Sequence, residues 1–301
     1  MIKKILQITL VFLPLIACET STQKHIAITQ IIDHPSLNQA KKGILDTLPK
    51  GKYKITQQDA QGDLSIATQI AHRYMSMKPD IIVAISTPSI QSLKNVPNPE
   101  NIPILFSSVT DASVVVQNSQ NPEGNITGVT DYPPLKALVD LIKKIVPDMK
   151  KLGVIYNPGE INSHNIVQKL KREHVDIIEA PVTSSQDVIA AVELLSGTVQ
   201  AIYIPSDNTV WPALEVLTKK ALELNIPVFS ADPDSVKRGV TAALGHEQYD
   251  LGVHVAHQIL RILEKGEKIR DISVQTPLKQ SLCFNHKRLA MLGLKMPEVP
   301  K

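Results

Sequence analysis

Hydrophobic residues along the chain alternate between short unbroken runs and stretches with helical spacing. Residues 81–85 form an unbroken apolar run, typical of a parallel strand that is covered on both faces. Residues 36–48 carry apolar side chains three and four positions apart, which predicts an amphipathic helix. The pattern predicts strands at 25–32, 54–57, 81–85, 102–106, 151–156, 175–178, 200–204, 226–229, 240–244 and 281–284, and helices at 36–48, 64–77, from Pro88, 161–173, 185–195, 209–224, 249–264 and 286–292.

The second half of the chain repeats the order of the first. Residues 101–107 read Asn-Ile-Pro-Ile-Leu-Phe-Ser, and residues 225–230 read Asn-Ile-Pro-Val-Phe-Ser. A duplicated β-α-β unit predicts an α/β fold with two doubly wound, Rossmann-like lobes. We expect three hinge strands, near 128–132, 240–246 and 275–280. The first lobe is then predicted to hold residues 25–130 plus 243–276, and the second lobe residues 131–242 plus 277–301.

The first eighteen residues have the layout of an export signal. Lys3 and Lys4 precede an apolar run, residues 5–13, that is too short to span a bilayer. Ala17 and Cys18 close this run and resemble the lipobox of bacterial lipoproteins. That resemblance implies a signal peptide at 1–17, lipid on the Cys18 thiol and a polar tether at 18–24. A plain secretory signal that happens to contain a cysteine is the alternative.

Charge and cysteine content exclude several classes of protein. Lys and Arg exceed Asp and Glu by 32 to 29, without an arginine-rich run, so we expect no nucleic-acid partner. With Cys18 lipidated, Cys283 has no partner for a disulfide, and it is expected to be a small buried hydrophobic residue. His254 and His257 are three positions apart on one predicted helix but lack a third ligand, so no metal site is expected.

Enzymatic chemistry lacks its usual sequence signals. No Gly-x-Gly-x-x-Gly follows a predicted strand and no Walker loop is present, so we expect no nucleotide cofactor and no other cofactor. Asp232 and Asp234 form an acid pair, but no nucleophile and base accompany them. We therefore expect a binding protein and not an enzyme.

Polar residues follow the strands at the edge where open α/β sheets bind ligands. They are Ser86, Thr87 and Ser89 after strand 81–85, Thr110 and Asp111 after strand 102–106, Asp131 at the first hinge, Glu160, Asn162 and Ser163 after strand 151–156, and Asp207 and Asn208 after strand 200–204. Ser, Asp and Asn also cap helices wherever helices begin, which accounts for part of this pattern. Helix capping explains Glu160 and Asp131 less well than it explains the other candidates.

The candidate residues suggest a zwitterionic ligand. Ser86, Thr87 and Ser89 open a helix, and helix N-termini with hydroxyl donors suit a carboxylate. The four acids among the candidates suit an ammonium group. Together these groups predict an amino acid as the ligand. Trp211 either lines the cleft or packs against a helix.

The chain resembles the ABC-type substrate-binding proteins of the tryptophan/tyrosine type, from about residue 25 to about residue 295. The resemblance is carried by Ser86-Thr87-Pro88 with Gln91, Phe106 through Val109-Thr110-Asp111, Gly128-Val129-Thr130-Asp131, Tyr156-Asn157-Pro158-Gly159-Glu160 with Asn162-Ser163, and Pro205-Ser206-Asp207-Asn208. Two departures occur: Ala112 and Ser113 stand where the family often has Pro, and Gly245-His246-Glu247-Gln248-Tyr249 stands where an Ile-Asp pair more often precedes Tyr.

The resemblance implies a type I periplasmic-binding fold with one ligand between the lobes. In the family, the positions of Thr87, Asp111, Asp131, Glu160, Asn162, Ser163, Asp207 and Asn208 face the cleft. The expected protein is a monomer, anchored by lipid at the bacterial cell envelope, that delivers a small amino-acid-like ligand to an ABC permease and ATPase. An aromatic amino acid is one candidate for this ligand. The alternatives are a ligand-binding partner of a sensor or chemoreceptor, and a binder of another small polar metabolite.

Overall fold

The computed structural model describes residues 23–298 except 121 and 123. The predicted signal peptide, Cys18 and residues 19–22 lie outside the described residues. The strands are β1 His25–Gln30, β2 Lys54–Asp59, β3 Ile81–Ile85, β4 Ile104–Val109, β5 Ile126–Thr130, β6 Lys151–Tyr156, β7 Asp176–Pro181, β8 Ala201–Ile204, β9 Val228–Ser230, β10 Ala242–Gly245 and β11 Ser281–Phe284. The helices are α1 Pro35–Thr47, α2 Leu64–Met77, α3 Thr87–Lys94, α4 Leu135–Ile145, α5 Ile161–Leu170, α6 Val188–Leu195, α7 Leu214–Glu223, α8 Gln248–Lys265 and α9 His286–Met291.

The strands form two sheets with the same internal order. The first sheet runs β2-β1-β3-β4-β5, and the second runs β7-β6-β8-β9-β10 with β11 added at its edge. All pairs are parallel except β10 with β11. This is the doubly wound order, in which the sequence of strands across the sheet changes direction between the first and third strands. The predicted fold class of two Rossmann-like lobes is therefore confirmed, and we call the units built on the two sheets the first and second lobes.

One part of the predicted lobe division is wrong. Residues 243–245 were assigned to the first lobe, but they lie in β10 of the second sheet. There Ala242 pairs with Phe229 and Ala243 pairs with Cys283. The chain returns to the first lobe only after β10, through α8, which packs against α1. The other predicted lobe boundaries stay predictions.

Close packing of α8 on α1 depends on glycine at the contact. A Cβ on Gly252 would lie 2.0 Å from the carbonyl oxygen of Ala40, and one on Gly43 would lie 2.1 Å from that of Tyr249. The two backbones approach so closely that no side chain fits between them. This contact ties the late helix α8 to the start of the chain and completes the first lobe.

Several elements differ from the prediction in their bounds. Helix α4 was missed, although Leu138, Val139 and Ile142 form a buried stripe at helical spacing. The helix predicted at 209–224 begins as a 3₁₀ turn, Trp211–Ala213, which contains Pro212, and becomes α-helical at Leu214. No helix within the described residues combines the length and the apolar character that crossing a membrane requires.

Candidate ligand-binding site

A cavity lies between the lobes, at the carboxyl ends of both sheets. In each lobe the cavity meets the point where the strand order reverses, between β1 and β3 and between β6 and β8. Its lining consists of His34, Ser36, Leu37, Ser86, Thr87, Ser108, Thr110, Asp131, Asn162, Ser206, Asn208, Trp211, Asp232 and Gln248.

One end of the cavity presents uncharged hydrogen-bond donors. Ser86 follows β3 with a φ of 88°, in the left-handed region, and Thr87 opens α3. The first N–H groups of a helix have no partner within the helix and favour negative charge. Within the described part of the chain, the lining includes no lysine or arginine. A carboxylate at this end would therefore be held by hydroxyls and the N-terminus of α3.

Asp131 supplies a buried carboxylate beside these donors. It is 7% exposed, and its Oδ2 lies 3.4 Å from both the Ser206 hydroxyl and the Gln248 amide nitrogen. Its Oδ1 is buried and has no hydrogen-bond partner among the described residues. Burial raises the pKa of Asp131, and the nearby polar groups of Thr110 and Gln248 oppose the rise. A cationic group in the cavity would satisfy both the empty acceptor and the negative charge.

Asp232 is a second buried carboxylate in the lining. Its Oδ2 accepts the hydroxyl of Ser36 from the opposite lobe, and its Oδ1 accepts the N–H of Asp234 at 2.9 Å. Burial raises the pKa of Asp232 to about 6, although the Ser36 hydrogen bond opposes the rise. The lining thus carries two acids and, among the described residues, no lysine or arginine, an arrangement that disfavours anionic ligands and favours a positively charged group.

Two rings from opposite lobes close another side of the cavity. His34 precedes α1 in the first lobe, and Trp211 follows β8 in the second; their ring centroids are 6.4 Å apart and their planes differ by 11°. The indole N–H donates to the carbonyl of Pro205 at 3.1 Å, which fixes the ring. Burial, followed by the nearby charge of Arg238, lowers the pKa of His34 to about 4, so this imidazole is neutral at pH 7. Both rings are flat and uncharged, and both belong to the lining of the cavity.

Several predicted site residues lie outside the lining because partners within their own lobe hold them. Asp207 accepts the Ser163 hydroxyl at 2.6 Å and the N–H of Asn157 at 2.7 Å. Glu160 accepts the N–H and the hydroxyl of Thr209, each at 2.8 Å. Burial, and then the charge of Glu160, raise the pKa of Asp207. These acids shape the loops that carry Asn162 and Asn208.

Ser89 and Asp111 also lie away from the lining. The Ser89 hydroxyl is 3.3 Å from that of Ser86, behind the cavity wall. Asp111 caps the 3₁₀ turn Ala112–Val114 and forms an ion pair with Lys169 of the second lobe at 2.8 Å. The predicted residues that do line the cavity are Ser86, Thr87, Thr110, Asp131, Asn162 and Asn208.

Sequence reasoning missed some of the lining. His34 and Ser36 follow the first strand, so the strand-end rule applied to the other strands would have found them. The predicted set also lacks three residues at strand ends. Ser108 lies at the end of β4, Ser206 follows β8, and Asp232 follows β9. Gln248 is the first residue of α8, and only the tertiary structure brings it to the cavity. Among the described residues, no group of three or more His, Cys, Asp or Glu is placed to hold a metal ion.

Comparison with known proteins identifies the family. The sequence profile of the ABC transporter substrate binding proteins matches residues 25–299. A tyrosine-binding protein of Clostridioides difficile (strain R20291) is 33% identical over 289 residues, which are 92% of this chain and 83% of the relative.

Two solved structures resemble the fold to different degrees. An ABC domain from Streptococcus pneumonia in complex with L-Trp has a TM-score of 0.86 at 28% identity, covering 92% of this chain and 97% of that one. The ligand-free, open structure of a substrate binding protein with adhesive properties from Clostridium difficile has a TM-score of 0.70 at 31% identity, covering 91% and 96%. The structure is thus more similar to the complex than to the ligand-free, open protein, although the complex has the lower sequence identity. The chain belongs to the family of ABC transporter substrate-binding proteins, which are extracytoplasmic, bind small molecules and work with an ABC permease and ATPase.

Proposed function

We propose that this protein closes its lobes around an aromatic amino acid and delivers it to an ABC importer. The observation that carries the proposal is Asp131, a buried carboxylate with an unpartnered oxygen in the cavity wall. The ammonium group of an amino acid would bind there. Its carboxylate would bind at Ser86, Thr87 and the N-terminus of α3.

The side chain of the ligand would contact His34, Leu37 and Trp211. A flat apolar ring suits these surfaces better than a sugar, because sugars need several hydrogen bonds around their whole edge. The relatives support the same ligand class, since one is a tyrosine-binding protein and another was solved with L-Trp. Binding would involve both lobes, so only the closed arrangement would satisfy all of the ligand's groups, and the ligand would shift the population toward it.

Mass spectrometry of the small molecules released from the purified, denatured protein tests the ligand class. We expect tyrosine or tryptophan at close to one molecule per chain, and a strong reduction in the D131N variant. Release of a sugar or of an amine that lacks a carboxylate would contradict the proposal. It would favour the alternative that the protein binds another small polar metabolite. Loss of uptake of the identified ligand on deletion of the gene would separate transport from a role as partner of a sensor.

We also propose that Cys18 carries a lipid that anchors the protein at the cell envelope. The proposal rests on the signal-like run followed by Ala17 and Cys18, in which the apolar part is too short to span a bilayer. Metabolic labelling with an alkyne fatty acid should label the wild type and not C18S. Equal labelling of both, or none of the wild type, would contradict the anchor.

A further inference from the structure

An ion pair joins the two lobes at a place outside the ligand cavity. Lys169 Nζ on α5 lies 2.8 Å from Asp111 Oδ2 in the first lobe, and Asn165 Nδ2, one turn earlier on α5, lies 3.4 Å from the same oxygen. None of these residues lines the cavity. Asp111 was expected to face the ligand, but its carboxylate contacts the opposite lobe.

Each partner is held in position within its own lobe. Asp111 Oδ1 accepts the N–H of Ser113 at 3.1 Å and the hydroxyl of Ser113 at 2.7 Å. Lys169 Nζ lies 4.8 Å from the ring centroid of Tyr132, which packs on the core of the second lobe. Neither of these contacts crosses between the lobes. The two charges are therefore oriented toward each other before the lobes meet, which reduces the entropy lost when the pair forms.

The pair is more shielded from water than the other ion pairs among the described residues. The Asp111 side chain is 8% exposed and that of Lys169 is 35% exposed, whereas the exposures are 59% and 45% in the Lys42–Asp46 pair on α1. Shielded pairs interact more strongly than exposed ones. Separating the lobes would return both charges to water, so the energy of this pair depends on whether the protein is open or closed.

We propose that Asp111 and Lys169 are positioning residues that set ligand affinity by stabilising the closed arrangement without touching the ligand. The proposal rests on the proposed function only in that closure retains a ligand. Apparent affinity depends on how readily the binding-competent closed state is populated. Loss of the pair should therefore act mainly on the rate of ligand dissociation, because the pair must break before the cavity opens.

The test compares K169Q, D111N, the double variant K169Q/D111N and the charge-swapped variant K169D/D111K, with K42Q as the control for an exposed pair. Ligand dissociation is followed by stopped-flow fluorescence of Trp211, the one tryptophan of the chain. Each single variant should release tyrosine roughly three to ten times faster. The double variant should be no faster than the singles, and the charge-swapped variant should recover part of the loss. Added salt should speed release from the wild type but not from the double variant.

The same variants show whether Asp111 instead contacts the ligand. Under the proposal, the ratio of affinities for tyrosine and tryptophan stays unchanged in every variant, and K42Q behaves as the wild type. A changed ratio, additive effects of the two single substitutions, or unchanged dissociation in both singles would overturn it.

Small-angle scattering separates this proposal from the ligand assignment. Ligand-free protein populates both the open and the closed arrangement. K169E places two like charges across the cleft, so it should shift this population toward the open arrangement and increase the radius of gyration relative to the wild type, whereas K42E should not. An unchanged radius in K169E would overturn the proposal. If the wild type binds no aromatic amino acid, the proposed function fails, and the scattering result still decides whether the pair controls closure.

Discussion

His34 of the first lobe and Trp211 of the second lobe face each other across the cleft with their ring planes 11° apart. They lie on separate sheets, so their spacing depends on how far the lobes have closed. The guanidinium of Arg238 also lies near Trp211, 5.9 Å from the ring centroid, and donates to the Trp211 carbonyl at 2.8 Å. Arg238 of the second lobe thus helps to hold the indole in the position where it faces His34.

Trp211 should contribute strongly to binding. Replacing it with Leu removes the flat surface and should weaken binding of an aromatic amino acid by about 2 kcal/mol, the size of a tryptophan at the centre of an interface. W211F keeps a ring and should lose less. Isothermal titration measures both, and circular dichroism checks that the variants remain folded. Equal affinity in W211L and the wild type would show that the Trp211 ring does not contribute to binding.

Asp131 should be the main partner of the ligand's ammonium group. D131N keeps the shape but removes the charge, and affinity should fall roughly tenfold to a hundredfold, as expected for one charge-assisted hydrogen bond. The control is D148N, which changes an exposed aspartate far from any predicted contact. Titration with tyrosine and with tyramine, which lacks the carboxylate, should show D131N weakening both. An effect of D131N on neither ligand would contradict the assignment.

Asp232 should make the stability of the ligand-free closed protein depend on pH. Its pKa of about 6 in the folded protein is above the ordinary value of 3.8, so folding favours the protonated form. The stabilisation from that proton is present below about pH 4 and is lost as pH rises to about 6, by at most ~3 kcal/mol. D232N lacks this titration.

Urea unfolding of the wild type and D232N at several pH values measures the effect. The free energy of unfolding of D232N, relative to the wild type, should increase between about pH 4 and about pH 6 and then level off. An open ligand-free form would expose Asp232 and reduce the increase. A difference between the two proteins that falls as pH rises would contradict the raised pKa.

Gly252 should be needed for the packing of α8 on α1. A Cβ there would meet the Ala40 carbonyl at 2.0 Å, so G252A must push the helices apart and should destabilise the protein by about 1–3 kcal/mol. H257A, on the exposed side of the same helix, is the control. Thermal unfolding compares the two variants. An unchanged melting temperature in G252A would show that the helices separate without cost.

The fold was predictable because its signals are local and repeated. The buried run of β3 and the repeated Asn-Ile-Pro stretches carry it, and in both repeats the asparagine, Asn101 or Asn225, adopts a left-handed backbone. The lobe to which β10 belongs was not predictable in the same way. The short sequence of β10 is compatible with either sheet, and its pairing with β9 and β11 places it in the second sheet.

The site was predictable only to the level of strand ends. Asp131 and Asp111 are the same residue type at comparable corners, yet Asp131 lines the cavity while Asp111 pairs with Lys169. Glu160 likewise bonds to the Thr209 loop of its own lobe. Whether an acidic side chain faces the cavity or pairs elsewhere depends on partners that are distant in sequence. A local sequence pattern does not identify these partners.

Titration of protein that has been unfolded, freed of bound small molecules and refolded tests the central claim most directly. We predict saturable heat with one tyrosine or tryptophan per chain and a smaller radius of gyration by scattering in the bound state than in the free state. Absence of heat with every aromatic amino acid, in a preparation whose circular dichroism shows native folding, would contradict the account.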